Sequence, residues 1–336
     1  MRLPHHSPLT THVHLLARIG AKLRRLSHYS PLTTVLLLIA ALSCNSSREK
    51  APLTFKDYPA LKIGFSTQNF QKAAPVNVQT LTEYIEYAAR EGYQFIELRD
   101  DLARLNDVDC QALAEVARKN KIEIIYELHK NPLDSGFLDV FRKGLSNVLL
   151  LPGPGILRTL LSRSEFDKDS TKKGWTKDEL ARLTKLTDSC AAIAKTKNIR
   201  FIFENLNEPF FGNDSTYGGG LTDFFAMTKG TGLQFDIGNA FRNSSRVKAD
   251  PEKVAEYLPS LGDRWVTTHL KTLQKGESQP VLTDNPLPLE KVVALMGKQN
   301  VLYATIELLP VADKQQCFDN HAKSIQFLKE KGILKD

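Results

Sequence analysis

The sequence has few of the residues that build disulfide frameworks, thiolate metal sites and nucleotide sites. Its 336 residues include four cysteines with no CxxC spacing, which gives no support for a thiolate zinc site. No GxGxxG motif follows the first predicted strand, which disfavours a dinucleotide site. Five of the seven net positive charges lie in the first 44 residues, and no basic cluster follows, so we expect no nucleic-acid partner.

The first 44 residues have the pattern of an export signal. Lys22, Arg24 and Arg25 precede the apolar run "TTVLLLIAALSC" (33–44), which is shorter than the roughly 20 apolar residues of a membrane span. A positive segment, an apolar run and small residues follow one another as in secretory signals. The ending "ALSC" resembles a loose bacterial lipobox, so we expect a lipid anchor on Cys44. A plain cleaved signal or a short anchor is the alternative.

This leader predicts an exported protein that is periplasmic, or a lipoprotein anchored to a membrane of a Gram-negative bacterium. The polar residues 45–60 are predicted to be a tether, and residues 61–336 the folded domain. The three cysteines of that domain are far apart, and the predicted role of Cys110 and Cys190 is as small buried side chains in helices.

From residue 61 onward the chain repeats one unit, a short apolar run followed by a segment of helical period. Eight runs are predicted to be strands: 61–67, 94–100, 122–129, 147–153, 199–205, 233–239, 265–271 and 302–308. A charged loop is predicted at about 158–174. Eight strands that alternate with helices predict an α/β fold, a (β/α)8 TIM barrel of normal size. A doubly wound open sheet is the alternative.

Four consecutive predicted strands carry an ionisable residue near their carboxyl ends, where such barrels hold their chemistry. Glu204 ends the fifth strand, Asp236 lies near the end of the sixth, His269 is in the seventh and Glu307 is in the eighth. Taken singly, these residues are more often salt-bridge partners or packed core residues than ligands. Together, and in strand order, they predict one shared metal centre.

The donor set indicates which metal and which chemistry to expect. Three carboxylates and one imidazole favour Mn²⁺ or Mg²⁺, with Co²⁺ or Zn²⁺ as further candidates. Open coordination positions would let the metal polarise a substrate carbonyl and stabilise an enediolate. Glu204 and Glu307 are the predicted catalytic residues, since each would also exchange a proton with a substrate carbon.

These residues resemble the xylose isomerase-like TIM barrels, the sugar phosphate isomerase/epimerase superfamily. The motifs "FENLNE", "FDIGNA" and "HLK" are similar to the signatures of that family, and the resemblance covers roughly residues 60 to 333. It implies the same four metal ligands, a small carbohydrate substrate and, in the epimerase branch, an acid/base role for the first and last Glu. It also implies a homo-oligomer, because members often form dimers or tetramers.

Six further residues are predicted to contact substrate. Glu97 ends the second strand, where the family often has a Glu, and His129 and Lys130 end the third. The others follow the sixth and seventh strands: Asn239, Arg242 and Lys271. Asn239 stands where the family often has a substrate-binding His, and Thr272 where an acid is common, which leaves the substrate open.

We therefore expect a divalent-metal-dependent isomerase or epimerase that acts on a sugar, an oxidised sugar or a polyol. Its first step would be proton abstraction next to a carbonyl, with the enediolate held on the metal. A dehydratase or lyase acting on a keto-sugar at the same site is one alternative. A sugar-binding lipoprotein without turnover is another. An endonuclease IV-like function would need a zinc cluster with more histidines and a basic surface, and the sequence of this barrel offers neither.

Overall fold

The computed structural model describes residues 50–161, 174–212, 219–241 and 249–336. In these ranges eight parallel strands form the barrel: β1 (Lys62–Ser66), β2 (Phe95–Arg99), β3 (Glu123–Glu127), β4 (Ile156–Leu160), β5 (Arg200–Glu204), β6 (Gly232–Asp236), β7 (Trp265–Leu270) and β8 (Tyr303–Ile306). The same ranges contain eight α-helices: α1 (Val78–Glu91), α2 (Asp107–Lys119), α3 (Phe137–Leu150), α4 (Lys177–Lys195), α5 (Leu221–Met227), α6 (Pro251–Tyr257), α7 (Leu289–Gln299) and α8 (Lys314–Glu330).

The strands close into a complete ring. Each strand pairs with its neighbours in sequence, and β1 closes the ring against β8 through the Lys62–Tyr303 to Phe65–Ile306 register. The predicted (β/α)8 barrel is thus confirmed, and the open-sheet alternative is excluded. A two-stranded antiparallel hairpin (Leu273–Gln274 with Glu277–Ser278) follows the carboxyl end of β7.

The fourth predicted strand was wrong. Most of residues 147–153 belong to the end of α3, and β4 follows at Ile156–Leu160, which overlaps the start of the predicted charged loop. A short apolar run such as "NVLLL" cannot be assigned to a strand or a helix by its periodicity alone. In the structure it lies at the end of a helix, which buries Val148 and exposes Leu149. The turn between helix and strand requires glycine at Gly153, where φ is 154° and a Cβ would lie 2.4 Å from the Ile124 carbonyl oxygen.

Local signals set the helix boundaries. Asn77 and Thr80 form a capping box at the start of α1, and Gly92 caps its end in the left-handed conformation. The α2 helix is capped by Asn106, whose side chain accepts from the Asp109 N–H.

The interior of the barrel has two layers. Six apolar side chains form a plug near the amino ends of the strands: Phe95, Ile125, Ile156, Ile202, Val266 and Tyr303. Two residues further along β2 to β5 come Glu97, Glu127, Arg158 and Glu204, because alternate residues of a strand face the same side. A charged layer therefore lies directly above the plug, at the carboxyl ends of the strands.

The described part of the predicted tether, residues 50–60, packs against the barrel. Phe55 is fully buried and bridges to Leu334, and the Leu53 N–H donates to the Gly92 carbonyl. The predicted leader lies outside the described residues. Of the helices within the described ranges, none combines the length and the apolar character that crossing a membrane requires.

Candidate metal centre

Four side chains meet at the carboxyl end of the barrel: Glu204, Asp236, His269 and Glu307. One ligand atom from each lies within 4.8 Å of the ligand atoms of the other three. The strand register brings them together, since Asp236 on β6 pairs directly with His269 on β7. Asp236 and His269 have no exposed surface, and Glu204 and Glu307 retain only 3% and 2%.

The three carboxylates converge on one ring nitrogen. The Nδ1 atom of His269 lies 2.5 Å from Glu307 Oε2, 3.4 Å from Asp236 Oδ2 and 3.5 Å from Glu204 Oε1. Three carboxylate oxygens and one imidazole nitrogen thus surround a common point. This is a donor set for a six-coordinate divalent cation that keeps two positions open for substrate.

Other groups of the protein hold the second oxygen of each carboxylate. The Arg158 guanidinium lies 2.7 Å from Glu204 Oε2, and the Asn239 backbone N–H donates to Asp236 Oδ1 at 2.7 Å. Glu307 Oε1 accepts from Lys271 at 2.7 Å and from the Gln68 amide at 3.0 Å. Each carboxylate therefore offers one oxygen to the centre, an arrangement that orients the donors before any ion binds.

The far side of His269 is held by a fourth carboxylate. Its Nε2 atom lies 2.7 Å from Glu97 Oε2, and the other Glu97 oxygen accepts from the Gln234 amide at 2.7 Å. A ring that donates its Nε2–H to Glu97 keeps the Nδ1 lone pair for a metal. Glu97 was predicted to contact substrate, but it is completely buried below the centre and supports a ligand instead.

A buried arginine that the sequence analysis missed links these groups. Arg158 on β4 is 1% exposed, and its guanidinium contacts Glu204, Glu127 and, at 3.5 Å, Glu97. The Arg158 guanidinium therefore contacts the candidate ligand Glu204 directly. It is connected to the candidate ligand His269 through Glu97.

The charges of the layer shift its pKa values in opposite directions. Burial raises the pKa of Glu204, but the Arg158 guanidinium and His269 outweigh it and lower that pKa to about 2. Against burial, Lys271 and His269 hold the pKa of Glu307 well below its usual range. For Glu127 burial prevails and raises the pKa to about 8. Glu204 and Glu307 are thus ionised at neutral pH.

His269 shows that the centre attracts positive charge. Burial lowers its pKa, but Glu97 and Glu307 outweigh burial and raise that pKa well above the usual range. Besides Glu127, which the raised pKa keeps largely protonated at neutral pH, four carboxylates of this layer (Glu97, Glu204, Asp236 and Glu307) face two buried cations, Arg158 and Lys271. A divalent cation would neutralise this excess of negative charge, so the residues fit the metal that the donor pattern predicts.

A cavity of about 400 Å³ opens above the centre. Of the four candidate ligands, Glu204 and Glu307 line it, together with Lys271, His129 and Arg158. Burial, followed by the nearby Arg99 charge, lowers the pKa of His129 to about 4, so the imidazole is neutral and suited to hydrogen-bond a hydroxyl group.

The other predicted substrate contacts differ in where they lie relative to this cavity. Asn239 donates from its amide to Glu204 Oε1 at 3.0 Å, so it braces a ligand. Lys130 is outside the cavity lining, and its ammonium lies 3.8 Å from Asp134. Arg242 is outside the described residues. Lys271 does line the cavity, although its ammonium already contacts Asp236 and Glu307.

Two solved sugar epimerases share this fold. A D-allulose 3-epimerase from Methylomonas sp. matches with a TM-score of 0.56 and 14% identity over 83% of this chain and 99% of its own. A D-psicose 3-epimerase, solved in the presence of D-fructose, matches with a TM-score of 0.58 and 15% identity over 80% and 99%.

A third solved structure carries a metal. A xylose isomerase-like TIM barrel protein from Mycobacterium smegmatis, in complex with magnesium, matches with a TM-score of 0.54 and 15% identity over 80% of this chain and 97% of its own. No protein-family model and no curated protein sequence matches the chain. The resemblance to xylose isomerase-like barrels is therefore confirmed at the level of the fold.

Proposed function

We propose that this protein is a divalent-metal-dependent isomerase or epimerase acting on a sugar, an oxidised sugar or a related polyol. One observation carries the proposal: of the four candidate ligands, the two that reach the cavity are Glu204 and Glu307, on β5 and just after β8. Asp236 and His269 are sealed below them. The pair that lines the cavity can serve both as ligands and as groups that exchange protons with substrate.

A bound divalent cation would polarise the substrate carbonyl and stabilise the charge of the enediolate. Glu204 and Glu307 are both ionised at neutral pH, so either can accept the proton from the carbon next to that carbonyl. One of the two groups then returns a proton to the substrate. Return to the neighbouring atom gives isomerisation, and return to the opposite face of the same carbon gives epimerisation. Arg158 and Lys271 hold the two carboxylates in place, and neutral His129 is positioned to bind a hydroxyl group.

The oxygen-rich donor set favours Mn²⁺ or Mg²⁺ over Zn²⁺ or Co²⁺. The structural neighbour that was solved with magnesium supports this choice. The leader sequence supports an exported location, periplasmic or anchored through lipid on Cys44, and a substrate outside the cytoplasm. Labelling with radioactive palmitate tests the anchor, since label incorporated by the natural chain should be lost in Cys44→Ser.

Metal-dependent proton exchange tests the function before a product is known. The full chain would be incubated in D₂O with a panel of keto-sugars, with and without Mn²⁺. We expect deuterium next to the carbonyl only with metal, and a loss of about 10²- to 10⁴-fold in Glu204→Gln and Glu307→Gln. Glu83→Gln, which alters an outer-surface ion pair with Lys314, is the matched control and should exchange normally.

The other outcomes select among the alternatives. A chain that binds no divalent ion would refute the metal centre. Metal binding without exchange on any sugar would favour a sugar-binding protein, whereas loss of a substrate hydroxyl or alkoxide would identify a dehydratase or lyase.

A further inference from the structure

A second cavity adjoins the one above the metal centre. It has a volume of about 860 Å³ and lies between the segment that follows β1 and the loop that follows β2. Three residues line both cavities: Gln68, Gln71 and Arg99. Because these residues form a common wall at the carboxyl end of the barrel, the two cavities adjoin, and we refer to them together as the cleft.

Gln68 stands at the junction of the cavities and contacts both sides. Its amide donates to Glu307 Oε1 at 3.0 Å, and its carbonyl oxygen accepts from the Arg99 guanidinium. A molecule that reaches from Glu307 into the second cavity must therefore pass over Gln68. A single sugar ring bound at the metal would leave the second cavity unfilled.

The charges of the second cavity favour an uncharged occupant. Arg99 lies 2.5 Å from Asp101, and Arg104 is accompanied by Asp109 in the same lining. Acidic residues thus match the basic ones, so the lining offers no surplus of positive charge for a phosphate or carboxylate group.

The polar and apolar groups of the lining suit a sugar ring. The side-chain amides of Gln71 and Gln79 belong to exposed residues and make no hydrogen bond within the described part of the chain, so their donors and acceptors face solvent. Val76 beside them is 48% exposed and presents an apolar surface. Amides next to an apolar patch match the hydroxyl edges and the C–H face of a pyranose.

We propose that the substrate is a glycoside or disaccharide whose keto ring lies over Glu204 and Glu307 and whose second sugar residue occupies this cleft. The proposal rests on the function proposed above and extends it from a free monosaccharide to a larger substrate. It assigns Val76, Gln71 and Gln79 to substrate recognition at a distance from the reacting carbon.

The test compares one keto-sugar alone with the same sugar joined to a second residue. D-fructose is measured against lactulose, turanose and isomaltulose, disaccharides that keep the fructose keto group free, with the full chain and Mn²⁺ in D₂O. We expect at least one disaccharide to exchange with a kcat/KM about tenfold or more above that of D-fructose. In Val76→Asp that advantage should disappear while D-fructose exchange stays unchanged.

Leu149→Asp is the matched control, because Leu149 is similarly exposed, at 53%, on α3 away from the cleft. It should keep the preference for the disaccharide. Equal kcat/KM for D-fructose and all three disaccharides, unaffected by Val76→Asp, would overturn the extended site and leave the proposed function intact.

Calorimetry decides the case in which nothing is turned over. A disaccharide that binds about tenfold more tightly than D-fructose, and loses this advantage in Val76→Asp, would support the cleft and overturn the catalytic function. Equal binding, or no binding of any of these sugars, would overturn both.

Discussion

Among the residues that the structure describes, two histidines are completely buried, and their surroundings are opposite. His269 lies among four carboxylates, which raise its pKa well above the usual range despite burial. His321 on α8 lies among aromatic rings, with the Phe65 and Phe70 centroids at 4.9 and 5.4 Å, and burial lowers its pKa to about 3. The same side chain thus favours the charged form in one region and the neutral form in the other.

The difference shows how each region is stabilised. The aromatic cluster between β1, α1 and α8 is stabilised by packing, and His321 completes it with contacts to Tyr93 Oη and the Asn69 amide. The charged layer contains groups that burial destabilises unless each is paired. Its residues therefore depend on one another and on the ion they are arranged to hold.

The largest expected effect comes from removing the cation that joins the layer. Arg158→Met leaves Glu127 and Glu204 without their guanidinium partner, which should lower the free energy of unfolding by about 3–5 kcal/mol. Urea denaturation measures the change. Adding Glu204→Gln, which removes the unpaired charge, should restore part of the loss, and a single variant as stable as the natural protein would show that the Glu204 carboxylate does not depend on Arg158.

Removing a ligand should abolish tight metal binding with less effect on the fold. Asp236→Asn keeps the shape of the side chain but removes one anionic donor, so the affinity for Mn²⁺ should fall by at least about 100-fold in calorimetry. Asp263→Asn, an exposed position before β7, is the control. Unchanged Mn²⁺ affinity in Asp236→Asn would exclude Asp236 from the centre.

Glu97→Gln tests whether a residue below the centre tunes it. The amide accepts the His269 Nε2–H less strongly than a carboxylate does, so Mn²⁺ affinity should fall by about 10- to 100-fold. The exposed Glu86→Gln should bind the metal normally. If Glu97 instead contacts substrate, as the sequence suggested, the variant would keep its metal affinity and lose only sugar binding.

The smallest effect concerns His321 and the pH dependence of stability. Its pKa is lower in the folded protein, about 3, than the 6.5 of an exposed histidine, so the unfolded chain binds the extra proton between these values. Its contribution to stability is complete above pH 6.5 and declines by about 1.4 kcal/mol per pH unit as the pH falls below it. His321→Asn should reduce this slope between pH 6.5 and 5 in urea titrations, whereas an unchanged slope would mean that other groups cause it.

The sequence was informative where chemistry and periodicity agreed. The runs around β5 to β8 have apolar alternation and end in an ionisable residue, so strand order alone placed Glu204, Asp236, His269 and Glu307 on one rim. It failed at β4 because Arg158 interrupts the only apolar run available there, while the neighbouring "NVLLL" looked like a strand. No apolar–polar alternation marks "ILRTL" as a strand, since Ile156 and Arg158 face the same side and all five residues are buried.

The order of strands and helices, the barrel and the convergence of four donor residues were all determined by the sequence itself, because each depends on local periodicity and on the side that a strand presents. Only the tertiary structure decided which carboxylates serve the centre directly and which support it. Glu97 lies in the middle of β2 and Glu204 ends β5, and closure of the ring buries the first beneath His269 and leaves the second at the cavity. Partners that lie far apart in the chain, such as Arg158 with Glu127 or Gln68 with Glu307, set these roles, and no local pattern records them.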